Sequence, residues 1–325
     1  MEVVARMDDR PGSLMAKSVP PGAIDCHLHH SPDVLDRRQW AFEYAEAAAA
    51  AGMGGIVLKS HHANTAGVAR QVDRLVPGIR VMGGVALNAA VGGLNPSAVR
   101  MAGQFGARML WMPTTSAANH VRYLDASATM SALRSDSGDE PLTILGDDGL
   151  VLPVVGEILE EAKAANMGLA TGHLSPDETI KLVEYAHKRG YPMNRIVVTH
   201  GDMPFTYVED DVQTYFAELG VLIERLYMLV LAFHREASPD ALEPGTPYTG
   251  ESFYMASDVG FEGMCRRIRD MGVSHSMFSS DLGQAGNPLP IDAMGRACGL
   301  LREAGFSEEE LRIMAVDSPT MFLGL

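Results

Sequence analysis

Cysteine is scarce in this 325-residue chain: Cys26, Cys265 and Cys298 make an odd number with no CxxC spacing. That excludes a disulfide scaffold, argues against thiolate metal sites and suits a reducing compartment. Basic charge is also short, with 26 Lys+Arg against 41 Asp+Glu and a formal charge of −15. No Lys/Arg-rich run offsets the deficit, so a nucleic-acid partner, which needs a basic face, is not expected. No apolar run reaches the roughly 18 residues of a spanning helix, so no membrane association is expected either. The opening MEVVARMDDRPGSLMAKSVPPG is broken by Pro and Gly and lacks the apolar centre of a signal peptide. Together these absences predict a cytoplasmic protein. What is present is 46% hydrophobic residues, 20 Met and 11 His. That composition fits a globular enzyme acting on a small molecule, and a homo-oligomer remains open.

Apolar strand segments alternate with helical ones, the pattern of a mostly parallel sheet. The first strand is expected at 23–26, ending in DCHLHHSPD, the second at 54–60, the third at 79–87 and the fourth at 107–112. The fifth, GLATGHLS, ends at His173 and the sixth, RIVVTHGD, at His200. The seventh, GVLIERLYM, starts at Gly220, and the eighth, HSMFSSDLG, ends near Asp281. Helices are expected near 37–51, 66–76, 96–105, 154–165, 208–219 and 253–271, and another opens at Ser175-Pro176-Asp177-Glu178 with cap, proline and acidic first turn in order. LTILGDDGLVLP reads as a small hairpin around a Gly/Asp turn. Eight strands with eight crossovers predict an α/β fold, a (β/α)8 TIM barrel, as one domain over 1–325. Its lead segment is 1–22, and long rim insertions after strands four and seven span 114–149 and 225–252. A doubly wound sheet is the weaker reading, because no GxGxxG follows an early strand.

Histidine placement is the sharper signal. His27 and His29 follow strand one, His61 and His62 strand two, His173 strand five and His200 strand six. A barrel builds its site from these windows, and the same rim carries Glu224 near the end of strand seven and Asp281 after strand eight. Imidazoles and carboxylates converging from several strands suit Zn, Fe, Mn or Co. His27 and His29, two apart, share one face of an extended strand. His61 and His62 cannot both point inward from a regular strand, so one is expected outside the ligand shell unless the chain bends. Glu224 could instead pair with Arg225. His30, His187, His234 and His275 read as surface residues, and His120 is the best placed of the rest to line a pocket.

DCHLHH, GHLS, THGD and SSDLG, in strand order, resemble the amidohydrolase-type metallo-barrels. That resemblance implies metal ligation by His27, His29, His173, His200 and Asp281, with Asp281 and His200 as catalytic residues. Many such proteins bridge two ions with a carboxylated Lys or a Glu after strand four, but WMPTTS offers neither, and Lys59 lies in strand two. The missing bridge and the extra His61-His62 pair resemble the TIM-barrel nonheme diiron monooxygenases of platensimycin and platencin biosynthesis and their relatives. This resemblance implies two Fe(II) ions, O2 and hydroxylation of an unactivated C–H in a bulky, CoA-linked diterpenoid acyl group. The implied grouping puts His27, His29 and Asp281 on one ion and His61, His62, His173 and His200 on the other, with Glu224 serving either. Arg37, Arg38 and Arg122 would meet CoA phosphates. The alternative is a hydrolase using Zn or Mn, a metal-activated water and Asp281 as general base.

Overall fold

The computed structural model describes residues 19–126, 140–233, 259–285 and 287–325. Eight parallel strands run in sequence order around a nearly closed barrel. They are β1 Ile24–His29, β2 Gly55–Lys59, β3 Arg80–Ala86, β4 Met109–Trp111, β5 Gly168–Ala170, β6 Ile196–Val198, β7 Leu222–Leu226 and β8 Ser276–Ser279. The first and last strands meet through Asp281 N donating to His27 O (2.9 Å) and His29 N donating to Leu282 O (2.8 Å). Every strand residue except Arg80 is buried, as expected where helices cover the outside and side chains fill the inside. The TIM-barrel expectation holds, with strands shorter than their apolar runs because the ladder ends where the strand tips splay into loops.

Twelve α-helices are described. They are α1 Ala41–Ala50, α2 Ala66–Leu75, α3 Pro96–Gln104, α4 Ala118–Asp125, α5 Pro153–Ala164, α6 Pro176–Lys188, α7 Asp210–Leu219, α8 Tyr227–Phe233, α9 Gly260–Met271, α10 Pro290–Glu303, α11 Glu308–Arg312 and α12 Ser318–Leu323. Local chemistry sets their ends. Ser175 caps α6 in a capping box with Glu178, Asn95 caps α3, and Gly220 in the left-handed region stops α7. The apolar positions of α1 (Ala41, Tyr44, Ala45, Ala48) recur at helical spacing and seat it on the sheet. The hairpin at LTILGDDGLVLP forms, with Gly146 N donating to Leu150 O and Leu152 N to Ile144 O, both 2.9 Å.

Two boundaries differ from expectation. The insertion placed at 225–252 starts too early: Arg225 and Leu226 complete β7, and the apolar run YMLVLAF continues directly as α8. The insertion placed at 114–149 opens with α4. Residues 127–139 of the first insertion, 234–252 of the second, 253–258 of the helix expected at 253–271 and 1–18 of the lead segment lie outside the described residues, and His234 with them. Among the described residues no helix is long and apolar enough to cross a membrane.

The barrel interior is stratified. Its lower layer is apolar, built from residues such as Ile24, Cys26, Val57, Met109, Ala170 and Met277, and closed by Phe322 and Leu323 of α12. Arg195 fixes this plug, its Nε donating to Phe322 O and Nη1 to Asn166 Oδ1 at 2.6 Å. Above the plug the lining turns ionic.

Candidate metal centre

A register shift between Asp25 and Leu28 in β1 changes which side chains face inward. Ile24 and Cys26 line the lower interior, Leu28 packs outward against the helices, and His27 and His29 turn inward above. A bulge of this kind re-aims side chains beside a site. Asp25 holds the kink, its Oδ1 accepting from His27 N (3.1 Å) and Ser280 N (2.9 Å). Burial pushes the Asp25 carboxyl up to about 6, partly offset by the bonds from Ser280 and His27.

Five imidazoles then close a ring. Centroids are 5.5 Å apart for His27 and His29, 4.8 Å for His29 and His61, and 6.0 Å for His61 and His173. They are 5.1 Å apart both for His173 and His200 and, stacked at 16°, for His27 and His200. Asp281 reaches into the ring, its Oδ1 3.0 Å from His27 Nε2 and 3.3 Å from His29 Nε2, its Oδ2 3.3 Å from His200 Nε2. Glu224 lies beneath, with Oε1 2.9 Å from His27 Nδ1 and Oε2 accepting from His200 N at 3.1 Å. Its pairing is with histidines, while Arg225 turns away to Asp202 at 2.6 Å. All seven residues are buried except half-exposed His61.

His62 does not join them. The chain bends after β2, so His61 faces the ring while His62 Nδ1 sits 3.1 Å from Asp33 Oδ1. The grouping that assigned His62 to a second ion is therefore not the one the structure assembles. The tight clusters, with ligand atoms within 4.8 Å of one another, are His27 with His29 and Asp281, and His27 with His200 and Glu224. His120, on α4, lies beside the ring, its Nδ1 3.0 Å from His173 Nδ1. His30 corrects another expectation, being buried with Nδ1 2.9 Å from Ser31 O. His187 is exposed and His275 half-buried.

Lys59 is the residue whose importance the sequence concealed. It ends β2 with its side chain buried, Nζ 2.6 Å from His27 Nε2 and 5.4 Å from the Trp111 ring. Burial pushes it down to about 8 against the pull of Asp281 and Glu224. A lysine closing the apolar run GIVLK was the available signal, since a strand-tip side chain inside a barrel has nowhere else to go.

Two backbone distortions fall on this cluster. His200 (φ 53°) and Asp281 (φ 51°) sit in the left-handed region, shared among described non-glycine residues only with Asn166. Each costs on the order of 1–3 kcal/mol and persists because the surroundings demand it. Gly283 (φ 124°) is needed beside them, because a Cβ there would lie 1.9 Å from His29 O.

Electrostatics keep donors available. Burial holds His29, His61 and His173 well below the ordinary imidazole value and pushes His120 down to about 4. Burial opposes ionisation of Asp281 and Glu224 too, but His27 and His200 hold Asp281 well below the usual range, and His27 lowers Glu224. His27 is the exception, raised to about 9 because Asp281 and Glu224 outweigh its burial and Lys59. With no ion bound, protonated His27 and Lys59 balance the two carboxylates, so a divalent ion would bind by displacing the His27 proton and the Lys59 contact. Among the described residues His29 Nδ1, His173 Nε2 and His200 Nδ1 are buried without a hydrogen-bond partner, and His200 Nε2 has only Asp281 Oδ2 at 3.3 Å. Each such orphan costs on the order of 1–3 kcal/mol. A divalent ion would take one ring nitrogen from each histidine it binds, and N/O donors of this kind suit Zn, Mn, Co or Fe.

These features define a (β/α)8 barrel with a histidine–carboxylate centre at the C-terminal ends of its strands. The chain belongs to the family described as "Family of unknown function (DUF6282)", whose model matches residues 22–224, from β1 to Glu224. No curated protein matches the chain by sequence. Similar solved structures include the phosphotriesterase homology protein from Escherichia coli complexed with phosphate (16% identity, 94% of this chain and 99% of that one, TM-score 0.58). Others are the probable dipeptidase PvdM from Pseudomonas aeruginosa (11%, 96% and 96%, 0.59) and the organophosphorus hydrolase from Deinococcus radiodurans (14%, 94% and 94%, 0.54). At these identities the likeness is one of fold.

Proposed function

We propose that this chain is a metal-dependent hydrolase, with His27, His29 and Asp281 holding the ion, and His173 and His200 placed to hold it or a second one. The observation that carries the reading is the closed imidazole ring around Asp281, with partnerless ring nitrogens at His173 and His200. A bound divalent ion supplies Lewis acidity and lowers the pKa of a water at its open position. Asp281 stays ionised at neutral pH and faces the cavity, so it can accept the proton of an attacking water. Glu224 keeps the His27 Nδ1 proton in place, which leaves Nε2 as the donor atom. Lys59 provides positive charge beside Asp281 and Glu224 when the site is empty. Leu124, Met203, Phe205 and Met228 form an apolar wall that excludes water and seats the organic part of a substrate.

The names of the structural neighbours, organophosphorus hydrolase and probable dipeptidase among them, support this class. The extra His61-His62 pair argued for paired redox iron, yet His62 serves Asp33, which leaves His61, its Nδ1 2.8 Å from Thr114 Oγ1, as the one extra imidazole in the ring. The oxygenase, Fe(II), O2 and acyl-CoA readings rest on resemblance alone, and we propose the hydrolase in their place.

Protein purified without chelators should carry a divalent ion and turn over aryl esters, lactones, dipeptides or aryl phosphotriesters. His27→Ala should lose both ion and turnover. Iron-dependent O2 uptake with substrate hydroxylation, and no hydrolysis across that panel, would overturn the proposal.

A further inference from the structure

Arg37 enters the cavity from the loop after β1 and lines it beside His29, Asp281 and Gln284. It is the sole Arg or Lys among the described lining residues. Its residue is half-exposed through the backbone, but its side chain is 2% exposed. One edge of the guanidinium is fixed: Nε and Nη2 donate to Asp33 Oδ2 at 3.0 and 2.9 Å. Asp33 is held in turn by His62 Nδ1 (3.1 Å) and by Val34 N donating to Oδ1 (2.7 Å). The Nη1 edge makes no hydrogen bond to any described residue. This differs from the buried arginines Arg195, Arg225 and Arg267, whose Nη1 groups are spent on Asn166 in the first case and on Asp202 in the other two. Three residues thus aim one guanidinium edge into the cavity, beside the metal centre.

A structural arginine would use both edges on protein, and an arginine for a distant CoA phosphate would sit outside the cavity. Arg38 and Arg122 fit neither task inside it. Arg38 Nη1 donates to Asn287 O at 2.8 Å, and Arg122 is exposed on α4. A free edge of a buried, pre-oriented guanidinium suits one chemistry, a charge-assisted pair of hydrogen bonds to an oxyanion. We propose that Arg37 is an oxyanion subsite and that the substrates carry a carboxylate or phosphoryl oxyanion next to the bond being cleaved. His62 and Asp33 are positioning residues for Arg37. In a chain of charge −15, this cation also gives an anionic substrate a local destination.

The identity of the scissile bond rests on the hydrolase reading, but anion binding does not, and the test separates them. Metal-loaded wild type, Arg37→Gln and Arg37→Lys are first matched for metal content and melting temperature. Binding of succinate and of inorganic phosphate is then measured by calorimetry. Hydrolysis is compared within two matched pairs: an N-acyl amino acid against its amide, and an aryl phosphodiester against the corresponding triester. Arg37→Gln should weaken anion binding about 10- to 100-fold, the range for a hydrogen bond to a charged group, and lower the anionic-to-neutral kcat/KM ratio by a similar factor. Arg37→Lys, which keeps the charge but loses the fork, should fall between them and carries the test if the Gln variant does not fold. The pair that responds identifies carboxylate or phosphoryl as the source. Anion binding and substrate ratios unchanged in both variants would overturn the subsite and leave the hydrolase standing. Arg37-dependent binding with no hydrolysis anywhere would sustain the subsite and overturn the hydrolase.

Discussion

Replacing Glu224 with Gln separates a metal ligand from a residue that orients one. Both carboxylate oxygens are already engaged, Oε1 with His27 Nδ1 at 2.9 Å and Oε2 with His200 N at 3.1 Å. The amide keeps one acceptor, so either His27 or the His200 N–H faces an NH2 group instead of an oxygen. One charge-assisted bond is lost, worth about 1.5–3 kcal/mol. Because it acts through the tautomer and tilt of His27, the loss should appear as a 10- to 100-fold weaker metal affinity. At 1.4 kcal/mol per decade that is about 1.4–2.8 kcal/mol, consistent with one such bond. Chelator-competition titrations of wild type, Glu224→Gln, Asp281→Asn and His27→Ala measure it. Glu224→Gln should lie between wild type and the other two, with His27 remaining a ligand. An affinity within twofold of wild type would remove Glu224 from the centre. A loss as large as that of His27→Ala would make it a direct ligand.

Two further predictions concern stability. His29, His61, His173 and His120 have folded-state values below the ordinary imidazole value near 6.5, so below that pH the unfolded chain binds protons that the folded chain refuses. The contribution of these four groups to apoprotein stability should therefore be complete above about pH 6.5 and fall towards pH 5 by up to about 1.4 kcal/mol per pH unit for each group. His27, raised to about 9, acts oppositely only above pH 6.5, and Asp25, raised to about 6, offsets only one of the four groups below pH 6, so a flat melting profile from pH 5 to 7 would refute the reasoning. Asp202 receives Arg225 Nη1 at 2.7 and 2.6 Å and Arg267 Nη1 at 2.9 Å, all buried. Asp202→Asn should cost about 3–5 kcal/mol in urea unfolding by leaving two buried guanidinium groups undercompensated, and a cost below 1 kcal/mol would show that the network contributes little.

The strand order and the rim position of the histidines were legible because both follow from local patterns. An apolar run ending in His or Asp can point its last polar side chain only towards the open end of a barrel. The partition of the histidines was not legible, because it depends on contacts across the rim. His61 and His62 are equivalent as sequence, and what separates them is the bend after β2 together with Asp33, 29 residues before His62. His30 looked like a loop residue because nothing local reports its burial. Glu224 was ambiguous between Arg225 and the centre, and the alternation of β7 decided it, placing Glu224 inward and Arg225 outward. The continuation of YMLVLAF as α8 was hidden because a uniformly apolar run carries no period.

The strained residues explain why the centre sits at this height in the barrel. Regular strands would alternate His200 and Asp281 with their neighbours, and their backbones would continue upward into the loops. The left-handed turn at each strand exit folds the side chain back over the barrel axis, where Asp281 meets His27, His29 and His200. Asp281 is secured on both sides, by its own N–H on His27 O and by Leu282 O receiving His29 N. The hydrogen bonds that close β8 on β1 therefore also set the distance from the carboxylate to both β1 histidines. Gly283 makes this possible by letting the chain cross within contact of His29 O. A change that loosens barrel closure should therefore reach the metal centre before it reaches the apolar layer below, which α12 seals independently.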